Sequence, residues 1–145
     1  VPKLIVLSVN WQTMERIISE RDEGLQSIRP KIDVSTAEAG AIESFQSSTL
    51  RPILKFQNGI ILAQFKKYLI KFKPAFNAYN QGAQRNFIDE VLKKDPRIKN
   101  SLIASVVSLM TISEYEVYCS NKIELNKRIV TLLIKRLQDQ LDFLY

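Results

Sequence analysis

Apolar residues recur at helical spacing along most of the chain, most densely between Thr49 and Lys73. There Leu54, Ile61, Phe65, Tyr68 and Phe72 fall on one stripe, at intervals of 7, 4, 3 and 4. Ile53, Ile60 and Leu69 widen the stripe on one side and Leu62 on the other, a breadth expected of a helix wrapped by neighbours. Thr49 is placed to N-cap this helix, with Pro52 in the first turn, where a missing N–H costs nothing. Lys55, Lys66 and Lys73 mark the wet face. Gly59 predicts a close helix crossing or a slight bend, and Pro74 ends the pattern.

The flanking segments read as shorter helices. Met14 to Ile28 is charged and weakly amphipathic, with Ile17, Ile18, Leu25 and Ile28 as its buried edge. Pro30 to Val34 is a connector. Ser35 or Thr36 then caps a short helix to Gln46, anchored by Ile42 and Phe45. Beyond the central helix, Phe76 and Tyr79 belong to a single turn, and Gln81 to Lys94 is a helix with Phe87, Ile88, Val91 and Leu92 inward. Asp95-Pro96 starts a helix through Leu109. Its small residues Ser101, Ala104, Ser105 and Ser108 suit close packing on the central helix. Thr111-Ile112-Ser113-Glu114 has the spacing of a capping box and opens a helix to Cys119. A last helix starts near Asn121 and runs to about Phe143, with Ile123, Val130, Leu133, Leu137, Leu141 and Leu144 inward. The pattern predicts an all-α fold, an irregular bundle of six or seven helices around a long central apolar helix at about residues 50–73. Residues 14–145 form one helical domain. For residues 1–13 two readings compete: a short strand or extended arm, and a native start at Met14 that makes them non-native.

Composition narrows the class. The chain has 145 residues, 46% of them apolar and 25% charged, the balance of a folded globular domain. Its net charge of +6 permits an acidic partner without demanding one. One cysteine, Cys119, excludes an internal disulfide and fits a reducing cytoplasm. No apolar run has the length of a membrane span.

Histidine is absent, and this constrains chemistry more than any other feature. Zinc sites draw on Cys and His. The acidic groups Glu20/Asp22/Glu23, Asp89/Glu90 and Glu114/Glu116 lack calcium-loop spacing and read as solvated helix faces, so no metal and no cofactor is expected. Cys119 has no His to activate it, a serine triad is ruled out, and a Ser–Lys dyad lacks a flanking motif. Neither phosphate-binding glycine pattern occurs. What remains is charge. Arg51, Lys55, Lys66, Lys67, Lys71 and Lys73 cluster without an acid and interleave with Phe56, Tyr68, Phe72 and Phe76, a weak phosphate-plus-stacking signal. A second basic group, Lys127, Arg128, Lys135 and Arg136, lies on the last helix. Arg51 itself has two readings, an ion pair with Glu43 or an anion or acidic-partner site.

The run SFQSSTLRPILKFQNGIILAQFKKYL (Ser44 to Leu69), with IRPKI upstream and LNKRIVTLLIKRLQDQ downstream, resembles a family of short bacterial proteins. Many of its members carry the label glyoxalase. The resemblance spans roughly Ile17 to Leu141 and is most distinctive over Phe45-Gln46, Thr49 to Lys55 and Gln57-Asn58. It implies a chain start near Met14 and, through the label, an activity whose known enzymes are paired βαβββ modules holding a metal with His and Glu. This chain supplies no His and no alternating strands. Three functions are therefore in view: a non-catalytic module that self-associates or docks a protein partner, a nucleic-acid or polyanion binder using residues 51–73, and a glyoxalase-related enzyme.

Overall fold

The structure, a computed structural model, describes residues 10–30 and 40–144. In chain order the helices are α1 (Trp11–Ile28), α2 (Ala41–Phe45), α3 (Arg51–Phe56), α4 (Asn58–Phe72), α5 (Gln81–Lys94), α6 (Pro96–Val107), α7 (Ile112–Ser120) and α8 (Lys122–Gln138). A π turn over Gln46–Leu50 joins α2 to α3, and 3-10 turns cover Pro74–Ala78 and Leu141–Phe143. With α2 and α3 taken as one interrupted helix, seven helices and no strand are present among the described residues. The predicted arm at 1–9 and the predicted caps Ser35 and Thr36 lie outside the described residues. α1 itself begins at Trp11, capped by the Asn10 side chain, so residues 10–13 belong to this helix rather than to an arm.

The central element starts earlier than its capping signals predict. Helical backbone runs from Ala41, so Pro52 sits inside a helix and Thr49 is not an N-cap. An interior proline removes a ladder hydrogen bond and presses its ring against the carbonyl four residues back, here that of Ser48. The helix widens where that clash falls. The Arg51 N–H reaches back five residues to the Gln46 carbonyl, the π spacing, before α-helix resumes. A second adjustment comes at Gln57, which separates α3 from α4 without breaking the ladder: its N–H donates to Ile53 and its carbonyl accepts from Ile61. The bend thus falls two residues before Gly59. No close crossing occurs at Gly59, since a Cβ built there meets nothing within 4 Å.

The core fills from two sides. The interrupted helix and α4 together bury Phe45, Leu50, Ile53, Leu54, Ile61, Phe65 and Leu69, and α8 buries Leu125, Ile129, Val130, Leu133, Ile134 and Leu137 against α5 and α6. Each such side chain contributes about 2 kcal/mol by leaving water. Leu125 and Ile129 are fully buried, whereas Ile123, placed on the inward stripe by its spacing, is 78% exposed. Ile60 and Phe72 of the central stripe also reach solvent. α8 ends at Gln138, and Leu141 and Leu144 enter the core from the turn that follows. α6 likewise stops at Val107, short of Leu109.

α1 differs from the others in burying no residue. Of its expected inward edge, Leu25 is half-buried while Ile17, Ile18 and Ile28 are exposed; Met14 is exposed too, and Trp11 is 81% exposed. Polar bonds hold it instead. Arg21 donates to the Met110 and Ser108 carbonyls, and Asp22 accepts from the Ile112 N–H. Just past its end, Arg29 donates to the Leu109 carbonyl and to both oxygens of Glu114. Glu114 also closes the capping box of α7 by accepting from the Thr111 N–H at 2.8 Å, and it accepts from the Thr49 hydroxyl at 2.7 Å. Burial disfavours the charged carboxylate, but the hydrogen bonds from Arg29, Thr49 and Thr111 outweigh it and hold the Glu114 pKa near about 2, below an ordinary 4.5. A carboxyl depressed in the folded state stabilises the fold above its unfolded pKa and loses that contribution as pH falls through the folded value. Stability is therefore expected to drop between about pH 4.5 and about pH 2, and Glu114→Gln to flatten that drop while costing about 2 kcal/mol at pH 7 by leaving Arg29 unpaired. Urea denaturation across this pH range, with amide exchange of α1 as the local readout, tests both.

Candidate interaction surfaces

The six cations of the predicted cluster do not form one patch. Helical geometry separates them, because residues four or seven apart share a face and adjacent ones do not. Lys67 and Lys71 border a groove between α4 and α6. Lys66 and Lys73 line a different depression, with Leu69, Pro74 and Phe76. Arg51 lines a cavity against α8, and Lys55 is exposed outside all three. Lys71 and Lys73 also sit over aromatic rings, Lys71 5.2 Å from the Phe72 centroid and Lys73 5.1 Å from that of Tyr79.

The α4–α6 groove, of about 430 Å³, has an apolar floor of Ile60, Ala63, Tyr68, Phe72 and Ile98. Lys67, Lys71 and Arg97 border it, and no carboxylate among the described residues lines it. Ile60 is 50% exposed. Along one wall Gln64 bridges the helices, accepting from the Ser101 hydroxyl at 2.6 Å and donating to that of Ser105 at 2.8 Å. One end is fixed by Asp95, which the Asp-Pro signal identified as a cap. Its Oδ1 accepts from the Arg97 N–H, completing that cap. Arg97 Nε and Nη2 also bind the carboxylate, and the Tyr68 hydroxyl donates to Oδ2 at 2.5 Å. The hydrogen bonds from Arg97, then from Tyr68, hold the Asp95 carboxyl well below the usual range. Burial, then the bond to Asp95, pushes the Tyr68 hydroxyl up. The Arg97 guanidinium lies 3.8 Å from the Phe72 centroid, and the Tyr68 ring lies 5.0 Å from the Phe72 ring. Arg97 thus covers the ring most exposed in the groove, and Tyr68 is buried, so neither offers a free face to a nucleic-acid base.

Arg51 does not pair with Glu43. Glu43 instead accepts from Arg128 of α8 at 3.1 Å, and Arg128 also binds Gln46 and Glu124. The Arg51 side chain therefore makes no hydrogen bond or ion pair with another described residue, and faces a cavity of about 300 Å³ with Leu54, Leu132, Lys135, Arg136, Asp139 and Gln140. The basic group on α8 divides in the same way. Arg128 is neutralised, Lys135 approaches Asp139 at 4.0 Å, and Lys127 lines a third groove with Lys93, Lys99 and the exposed Ile123.

Cys119 is exposed rather than buried, beside Tyr115 and with no base to activate it. Among the described residues, no three His, Cys, Asp or Glu side chains gather where they would hold one ion, and no helix is long and apolar enough to cross a membrane. No protein-family model, curated protein or solved structure matches the chain.

Tyr68→Phe removes one donor to Asp95 and is expected to cost about 1 kcal/mol. Asp95→Ala is expected to cost more, because it also strips the N-cap of α6. Urea denaturation of the two variants, with equal losses as the contrary result, checks the order.

Proposed function

We propose that this chain is a non-catalytic interaction module that self-associates, the exposed edge of α1 in one copy seating in the α4–α6 groove of another. The observation that carries this reading is that two uncovered apolar surfaces bear opposite charge. The α1 edge presents Trp11, Met14, Ile17 and Ile18 on a helix with four acids, Glu15, Glu20, Asp22 and Glu23, and two bases, Arg16 and Arg21. The groove presents Ile60 and Ala63 beside Lys67 and Lys71, whereas Arg97 is taken by Asp95. An amphipathic helix laid in an apolar groove is a common recognition mode, and charge at the rim selects the orientation. Two copies exchanging both contacts close a two-fold dimer.

The polyanion reading is less well supported, since its six cations lie on separate faces and the groove aromatics are occupied. The glyoxalase activity implied by the family resemblance gains no support from a chain without histidine.

Light scattering after size exclusion, at 50 mM and 500 mM salt, tests the proposal. A dimer is expected at both, because apolar burial survives salt that abolishes phosphate-driven binding. Ile60→Asp is expected to give a monomer of unchanged helicity. Glu15→Lys with Glu20→Lys, and separately Lys67→Glu with Lys71→Glu, are each expected to weaken the dimer, and mixing the two variants to restore it. A wild-type monomer at all concentrations, or a dimer indifferent to Ile60→Asp, sinks the reading.

A further inference from the structure

The cavity between α3 and α8 holds a charge arrangement that folding alone does not explain. The partly buried or capping arginines of this protein find carboxylates: Arg29 pairs with Glu114, Arg97 with Asp95 and Arg128 with Glu43. Arg51 and Arg136 pair with no described carboxylate, although they line the same cavity. Arg51 has no partner among the described residues. Arg136 is half-buried, and its one hydrogen bond is a long one, from Nη1 to the Asn58 Oδ1 at 3.3 Å. A guanidinium carries five N–H donors, so on both arginines most donors find no acceptor among the described residues. Burial, then the nearby Arg51 charge, pushes the Arg136 guanidinium down from its ordinary value.

The surroundings hold Arg136 in place. Asn58 and Gln140 exchange hydrogen bonds, Asn58 Nδ2 donating to Gln140 Oε1 at 2.8 Å and Gln140 Nε2 donating to Asn58 Oδ1 at 2.9 Å. Gln140 Nε2 also donates to the Arg136 carbonyl at 2.9 Å. Asn58 Oδ1 is thereby fixed as the acceptor that orients the guanidinium. Lys135 adds a third cation, and Asp139, 4.0 Å from Lys135, is the one carboxylate lining the cavity among the described residues. Three cations against one carboxylate leave a surplus of two positive charges. Leu54 and Leu132 supply an apolar wall.

We propose that this cavity binds a small phosphomonoester, its phosphate bridging the guanidinium groups of Arg51 and Arg136, with Lys135 at the rim and its organic part against Leu54 and Leu132. A dianion matches the surplus charge, and planar guanidinium forks match phosphate oxygens two at a time. The volume of about 300 Å³ suits a compact phosphorylated metabolite rather than a polynucleotide. The site is separate from the α4–α6 groove and does not depend on self-association.

The test uses the full chain, with phenyl phosphate and inorganic phosphate as probes at constant ionic strength. Binding is followed by calorimetry and by the arginine Nε–Hε signals in 1H–15N spectra. Phenyl phosphate is expected to shift two arginine signals and to bind several-fold tighter than inorganic phosphate. Arg51→Ala is expected to weaken it at least tenfold and to leave the melting temperature of the free protein unchanged or higher, because it relieves repulsion with Arg136. Arg136→Gln is expected to weaken binding similarly, and the exposed position of Arg51 keeps the test decisive if that variant folds poorly. Absence of binding at millimolar phenyl phosphate overturns the proposal. So does equal binding by Arg51→Ala, or tighter binding of succinate than of phenyl phosphate.

Discussion

The Glu114 carboxylate is the point at which three otherwise separate parts of the chain meet. It accepts from the start of its own helix, from Thr49 in the π turn and from Arg29 just past α1. Without it, Arg29 would be a largely buried cation, and burying a charge without a counter-charge costs more than the burial returns. With it, an extended helix that buries no residue of its own acquires a fixed place. The polar join also explains how α1 can leave its apolar edge in solvent: its docking energy comes from ionic and backbone hydrogen bonds at one end.

The π turn belongs to the same arrangement. Proline inside the long helix forces a local widening, and Thr49 lies within the widened turn, almost fully buried, with its hydroxyl on Glu114. Arg51, at the far side of the same distortion, is the residue left without a partner at the α8 cavity. One covalent constraint, the pyrrolidine ring of Pro52, thus stands beside both the join to α7 and the most unusual charge environment of the protein.

Much of the fold was legible in the sequence because short-range signals and tertiary packing agree. Asp95-Pro96 and Thr111 to Glu114 act as caps, and Gln81 to Lys94 is a helix with those limits. The legible signals failed where two physical readings share one pattern. Thr49 followed by Pro52 suits a helix start and suits equally a proline tolerated through a π turn, and only the preceding residues decide. Ile123 matches the α8 stripe by spacing yet lies outside the packed length of the helix, while Leu125 and Ile129, which local spacing did not single out, are buried. The surfaces were harder still. Counting cations along a helix cannot show that Lys66 and Lys67 face different neighbours, nor that Glu43 crosses to Arg128 and leaves Arg51 alone. Arg136 stood in the second basic group by sequence, but its place beside Arg51 was not readable, and neither was the packing of Arg97 over Phe72, since both depend on residues remote in sequence.

The ties of α1 also set an order in time. Its partners, Ser108 to Glu114, stand 80 to 89 residues further along the chain in the bonds made by Arg21 and Arg29. During synthesis α1 leaves the ribosome well before these partners do, by which point the Ala41 to Val107 helices are already available to pack. Closing so long a loop is entropically costly, and it is repaid only when Glu114 is in position. A helix made well before its partners is therefore late to settle, and a chain stalled before residue 114 would leave this acidic, amphipathic segment free to meet whatever basic groove lies nearby.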